Sequence, residues 1–278
     1  MTPGARDAAT PVTMSRMSGT ASTSYRERNS TADRALDILL MFTDTHLVVS
    51  GTAVAERLGV ARSTAYRYLQ SLVSSRFLEE APGGGFRLGL RVMEIARLAR
   101  RSYGLSEVAL PAMTALAEDV RETVLLTRRT GELVVCVDRA EAGTGAVRIS
   151  YERGSTLPLN AGAAALVLLA WIPDEEARQL LESADLRRFT PATLTDVDTL
   201  MQRLAHIRRG GYSVTRGELD ADVMGVAAPV RDEQQQVVAA VSIAALASRV
   251  FPEAEAELAR KVQETAREIG ERLTAVGG

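Results

Sequence analysis

Between residues 51 and 70 the chain reads GTAVAERLGVARSTAYRYLQ, and its apolar side chains recur every three to four positions in two short runs. Val54, Leu58 and Val60 make the first run; Ala65 and Leu69, continued by Leu72, make the second. That period is helical. Ala55 is small where a neighbouring helix must cross closely, and Gly59 stands where a left-handed residue ends a helix, so the stretch predicts two helices joined by a tight turn. The second opens on Arg62, Ser63 and Thr64 and continues with Tyr66 and Arg67 facing outward, a set of donors suited to phosphates and base edges in a groove. A solvated helical hairpin within an ordinary bundle fits the same spacing. The next residues favour the first reading: Phe77-Leu-Glu-Glu, the turn Ala81-Pro-Gly-Gly-Gly and Phe86-Arg-Leu-Gly predict strand, turn and return strand. The result is a winged helix-turn-helix with Arg87 on or near its wing.

Around this unit the pattern continues. Ala35, Leu36, Ile38, Leu39 and Phe42 predict a first helix from Ala32, with Ser30 and Thr31 as capping candidates. After the wing, residues 88–101 predict a charged connecting helix, and Val108, Leu110, Met113, Leu116 and Ala117 predict another from Ser106 that tolerates or bends at Pro111. Strand-like runs follow at 123–128, 132–139 and 146–151, the first two a plausible hairpin. A loop over 152–160 leads to an apolar helix over 161–171 and two amphipathic helices over 173–182 and 195–208. Runs at 223–231 and 237–246 predict antiparallel strands around a polar turn, and a long helix from Pro252 to about Thr274 closes the chain. Strands in groups, flanked by helices, indicate an α+β domain on an antiparallel sheet. The expected organisation is an N-terminal arm over 1–30, the winged helix over 31–90, a linker helix over 91–104 and a second domain over 105–278.

Composition narrows this picture. A chain of 278 residues has room for two cores, and 46% hydrophobic with 24% charged residues describes a globular protein. Its longest apolar run is too short to span a bilayer, and its N-terminus lacks a signal-peptide core, so the expected location is cytoplasmic, with no membrane partner. Net charge is −2, unevenly spread: residues 1–101 carry 14 arginines against 9 acidic residues, whereas the remainder is net −7. Phosphate contacts are local, so a basic end on an acidic protein is compatible with DNA binding. One cysteine, Cys136, and two histidines, His46 and His206, provide no disulfide framework or spaced metal ligands, and neither metal nor cofactor is expected. Cys136, within Leu-Val-Val-Cys-Val, reads as a buried strand residue.

The chain resembles the IclR family of bacterial transcriptional regulators. The resemblance rests on Arg34-Ala-Leu-Asp-Ile-Leu, Ser63-Thr-Ala-Tyr-Arg, Phe86-Arg-Leu-Gly-Leu, Arg121-Glu-Thr-Val, Ile207-Arg-Arg-Gly-Gly-Tyr, Ala227-Ala-Pro-Val and Val238-Ala-Ala-Val-Ser, in that order. It implies a GAF-like, effector-binding second domain and operator binding as a homodimer or homotetramer on double-stranded DNA, with Arg62, Ser63, Thr64, Tyr66, Arg67 and Arg87 as the DNA-facing residues. Carried over by position, the family's pocket places Ala163 and Ala164 at a helix start, apolar walls at Ala146, Ile149, Leu157 and Val223, and further positions at Thr215, Gly225, Ser242 and Ala244. Members that bind small oxo-acids hold Asp, Cys and two Ser at the last four places, and a Gly-Lys pair where this chain has Ala165-Leu166. Fewer fixed donors, and the missing side chain at Gly225, imply a larger or more apolar effector, such as an aromatic or other organic acid from a catabolic pathway. Asn160, Arg148 and Arg128 are possible charge partners. The rival from another class is a small-molecule enzyme using Cys136, against which the chain shows no nucleophile elbow, phosphate loop or paired-carboxylate signature.

Overall fold

The computed structural model describes residues 30–43, 45–142 and 151–277, which fall into two compact units divided between Glu94 and Ile95. In the first, α1 (Ser30–Leu39), α2 (Gly51–Leu58) and α3 (Arg62–Ser74) are followed by β1 (Leu78–Glu80) and β2 (Phe86–Leu88). Ser30 and Thr31 lie within the first turn of α1 rather than before it, and Leu88 pairs with Leu78 on the wing instead of opening the next helix. Ser50 caps α2, its Oγ accepting the Ala53 N–H at 3.1 Å, and Gly59 ends it at φ +62° with its own N–H on the Ala55 and Glu56 carbonyls. The core is one cluster of Ile38, Val54, Leu69, Leu78 and Phe86, all nearly inaccessible to solvent. Val49 and Phe86 exchange both backbone hydrogen bonds, 2.9 and 2.8 Å, tying the wing to the residue before the α2 cap.

The division between the units falls inside α4 (Leu90–Tyr103). The second unit then runs α5 (Leu105–Val120), β3 (Thr123–Thr130), β4 (Leu133–Ala140), β5 (Thr156–Leu157), α6 (Ala163–Ala170), α7 (Asp174–Ser183), α8 (Val197–Gly210), β6 (Ser213–Arg216), β7 (Val223–Arg231), β8 (Val237–Leu246) and α9 (Pro252–Gly277). Among the described residues its six strands form one antiparallel sheet in the order β5-β4-β3-β8-β7-β6. The expected β3-β4 hairpin is present, turned at Gly131 with φ +59°. Pro111 lies within α5, which continues through it. The run expected as a strand over 146–151 lies outside the described residues except for Tyr151, which is not in a strand, and β6 is a strand the hydrophobic pattern did not predict.

Alternation along the strands separates two cores. Met224, Val226, Ala228 and Val230 on β7, with Val241, Ile243 and Ala245 on β8, face α5 and α9. Ala227 and Ala240 on the same strands, with Leu125 and Cys136, face α6 and α8. All eight residues of α6 are buried. A helix apolar on every side needs cover on every side, and the sheet, α8 and α7 with its following loop provide it.

Candidate functional site

Two places gather chemistry, one in each unit. In the first, α3 presents Arg62, Ser63, Tyr66 and Arg67 to solvent with Thr64 half-buried, while Ala65, Leu69 and Leu72 turn into the core. No side chain caps its N-terminus, so its first backbone N–H groups are left to other partners. Tyr66 is not free to swing: its ring meets Phe86 edge-on at 6.1 Å, and a Cβ at Gly51 would fall 2.6 Å from it. Behind α3, Arg34 donates to the Tyr68 hydroxyl at 3.1 Å, and that hydrogen bond, with the nearby charge of Arg67, holds the phenol below its ordinary pKa. Arg87 projects from β2 but is paired across the wing with its register partner Glu79 at 3.1 Å.

In the second unit a cavity of about 410 Å³ opens between the start of α6 and the β6-β7-β8 side of the sheet. Leu157, Ala163, Ala164, Thr215, Val223, Gly225, Ser242 and Ala244, the eight effector-site expectations that are described, all line it. Ala146, Ile149 and Arg148 lie outside the described residues. Gly225 does not enlarge the space as expected. It is the register partner of both Thr215 and Ala244, and a Cβ there would meet Thr215 Oγ1 at 2.9 Å and Ala163 Cβ at 3.2 Å, so the missing side chain admits the helix start and the threonine hydroxyl instead. Asn160 is not a charge partner either; it is buried, its Nδ2 donating to the Leu194 carbonyl at 2.7 Å and the Arg187 carbonyl at 3.2 Å, which fastens the loop after α7.

Sequence reasoning passed over Tyr151, Phe189, Thr190, Glu218 and Asp220, which also line the cavity. No local pattern in Gly217-Glu-Leu-Asp-Ala-Asp marks one of its acids as inward, and only tertiary packing buries Glu218. Its carboxyl is buried, and desolvation raises its pKa despite Arg203 at 4.0 Å and the Gly162 backbone amide, both of which favour the charged form. Asp220 is exposed, and its charge adds to burial in raising the Tyr151 phenol.

The Cys136 thiol is fully buried in β4, and burial pushes it up to about 11 despite the nearby Arg139. Such a thiol stays protonated at neutral pH, contrary to what a nucleophile needs. His46 bonds Thr43 and Thr45 and His206 lies on α8; among the described residues no three metal-ligating side chains cluster.

Comparison with known proteins matches residues 31–82 to the IclR helix-turn-helix domain and 98–271 to the bacterial transcriptional regulator IclR C-terminal family. The HTH-type transcriptional regulator XynR of Escherichia coli (strain K12) is 32% identical over 220 residues, covering 78% of this chain and 86% of its own length. KipR of Bacillus subtilis (strain 168), also an HTH-type transcriptional regulator, is 28% identical over 89% of this chain and 98% of its own. Among solved structures, an IclR homolog from Microbacterium hydrocarbonoxydans complexed with 4-hydroxybenzoate superposes with a TM-score of 0.76 at 28% identity, covering 88% of this chain and 99% of that one. A transcriptional regulator from Rhodococcus sp. RHA1 gives 0.76 at 30% identity, covering 88% and 98%.

Proposed function

The chain belongs to the IclR family of bacterial transcriptional regulators, and from that premise we propose that α3 reads operator DNA while the cavity beneath α6 holds the small molecule that sets operator affinity. The observation that carries the reading is the convergence of eight positions, spread along the sequence from Leu157 to Ala244, on one cavity. Residues 31–90 are the DNA-binding part, 91–104 the linker and 105–278 the effector-binding part. Arg62 and Arg67 contact phosphate or base edges, Ser63 and Thr64 with the uncapped α3 N-terminus hold a phosphate, Tyr66 packs along the groove wall, and Arg87 exchanges Glu79 for the DNA backbone. The effector is an organic acid with an aromatic or apolar body, a class supported by the apolar lining and by the 4-hydroxybenzoate held by the Microbacterium homolog. The protein acts on DNA in the cytoplasm as a homodimer or homotetramer, each pair presenting two α3 helices to a near-palindromic site.

A ligand shifts operator binding only by its differential affinity for the two states. The test is fluorescence anisotropy on DNA from upstream of the protein's own gene, titrated with aromatic and aliphatic acids, for the wild type and Val223→Phe, which fills the cavity from β7. Operator affinity changed by an acid in the wild type and unchanged in the variant supports the assignment. A response that survives Val223→Phe, or salt-insensitive DNA binding, overturns it.

A further inference from the structure

Gly51 opens α2 with its backbone outside the left-handed region that would call for a glycine, and in a helix alanine is the better former. The reason for a glycine lies in what surrounds it. The space of the missing side chain is taken by Tyr66 of α3: a Cβ at Gly51 would stand 2.6 Å from Cε2 of that ring, 2.8 Å from Cζ and 3.0 Å from the hydroxyl oxygen. Phe86 of the wing meets the same ring edge-on at an interplanar angle of 70°. These two walls are fastened to each other, because Val49 and Phe86 exchange backbone hydrogen bonds and Ser50, between Val49 and Gly51, caps α2. Yet Tyr66 is 48% exposed, and its hydroxyl has no hydrogen-bond partner among the described residues.

A side chain free to turn gives up rotamer entropy when it binds, whereas one already held in place does not. We infer that Gly51 is a positioning residue for DNA binding: by lacking a side chain it seats the Tyr66 ring between α2 and the wing, from where the hydroxyl donates to a phosphate of the groove wall. The inference rests on α3 being the helix that reads DNA and adds the residue that aims one of its contacts. A tyrosine that only packed over the start of α2 would fill the same space. The two roles differ in the hydroxyl, which packing does not use and a phosphate contact does.

Fluorescence anisotropy on the full chain tests it, using a duplex that the wild type selects from a randomised pool. Tyr66→Phe keeps the ring and removes the hydroxyl; Gly51→Ala keeps the hydroxyl and displaces the ring. Each should weaken binding ~10-fold or more, the worth of a hydrogen bond to a charged acceptor. The melting temperature of Gly51→Ala, followed by circular dichroism, should not fall, because the added methyl meets the far end of a movable side chain and alanine favours the helix. In a Tyr66→Ala background, Gly51→Ala should change affinity by less than ~2-fold, whereas a role of Gly51 apart from the ring persists there. Wild-type affinity in Tyr66→Phe or Gly51→Ala, a lowered melting temperature in Gly51→Ala, or a Gly51→Ala loss that remains without the tyrosine overturns the inference. Any of these beside a weakened Arg67→Ala overturns it alone, whereas a pool that yields no duplex, or undiminished binding by Arg67→Ala, removes the reading of α3 beneath it.

Discussion

Arg67 and Cys136 show how much one side chain's surroundings decide. Arg67 stands on the exposed face of α3, two residues beyond buried Ala65 and two before buried Leu69, so removing its guanidinium leaves the core intact. Arg67→Ala is expected to weaken operator binding by about 1–3 kcal/mol if the contact is to a base edge, or to weaken all sequences alike and flatten the salt dependence if it is to phosphate. Anisotropy at several salt concentrations distinguishes these, with an unchanged melting temperature expected in both. Cys136 is the converse, a reactive group made inert by position. Its thiol pKa of about 11 lies above the ordinary value of 9.0, so folding favours the neutral form. That contribution is whole below the unfolded thiol's pKa and is lost as pH rises through the folded one. Alkylation of native protein at pH 8 should therefore be slow, reaching free-thiol rates only on unfolding. Thiol titration of the native protein at that rate would show the site to be open.

At the scale of elements, legibility followed how much of a segment is buried and on which sides. The bounds of β7 and β8 agree with the sequence reading, because apolar residues fill both runs and a polar turn separates them. Strand β6 was missed. It is a four-residue edge strand, Ser-Val-Thr-Arg, whose inward positions are Ser213 and Thr215, so its alternation carries almost no hydrophobic contrast. The cavity was legible only through the resemblance, since Thr215, Gly225 and Ala244 come together by register pairing that no local pattern encodes. Glu218 was invisible for the opposite reason, a charged residue in a loop being outward by default. Helix α6 supplies the prediction at this scale. Leu166 is fully buried among α8 and the sheet, and Leu166→Ala should cost ~2–5 kcal/mol through lost transfer energy and a residual cavity. Urea unfolding followed by circular dichroism measures it, and a loss under about 1 kcal/mol would mean that the site collapses freely.

For the whole molecule the question is coupling. An acidic second unit holding an effector and a basic N-terminal stretch offering α3 to DNA are useful to a regulator only if occupancy of one changes the affinity of the other. Linkage makes this reciprocal: whatever factor the effector imposes on operator affinity, operator DNA must impose on effector affinity. Calorimetric titration of an active effector into free protein and into the protein–operator complex should therefore give Kd values differing by the factor seen in anisotropy, typically ~5- to 150-fold. Unequal factors would mean that the two assays report different assemblies.

The alternation on β7 and β8 has an evolutionary reach. Met224, Val226, Val241 and Ala245 pack one layer while the interleaved Gly225, Ser242 and Ala244 line the cavity, so neighbouring codons answer to separate demands. A lineage can exchange the cavity-facing letters one at a time and reshape that space while the scaffold on the far side stays as inherited.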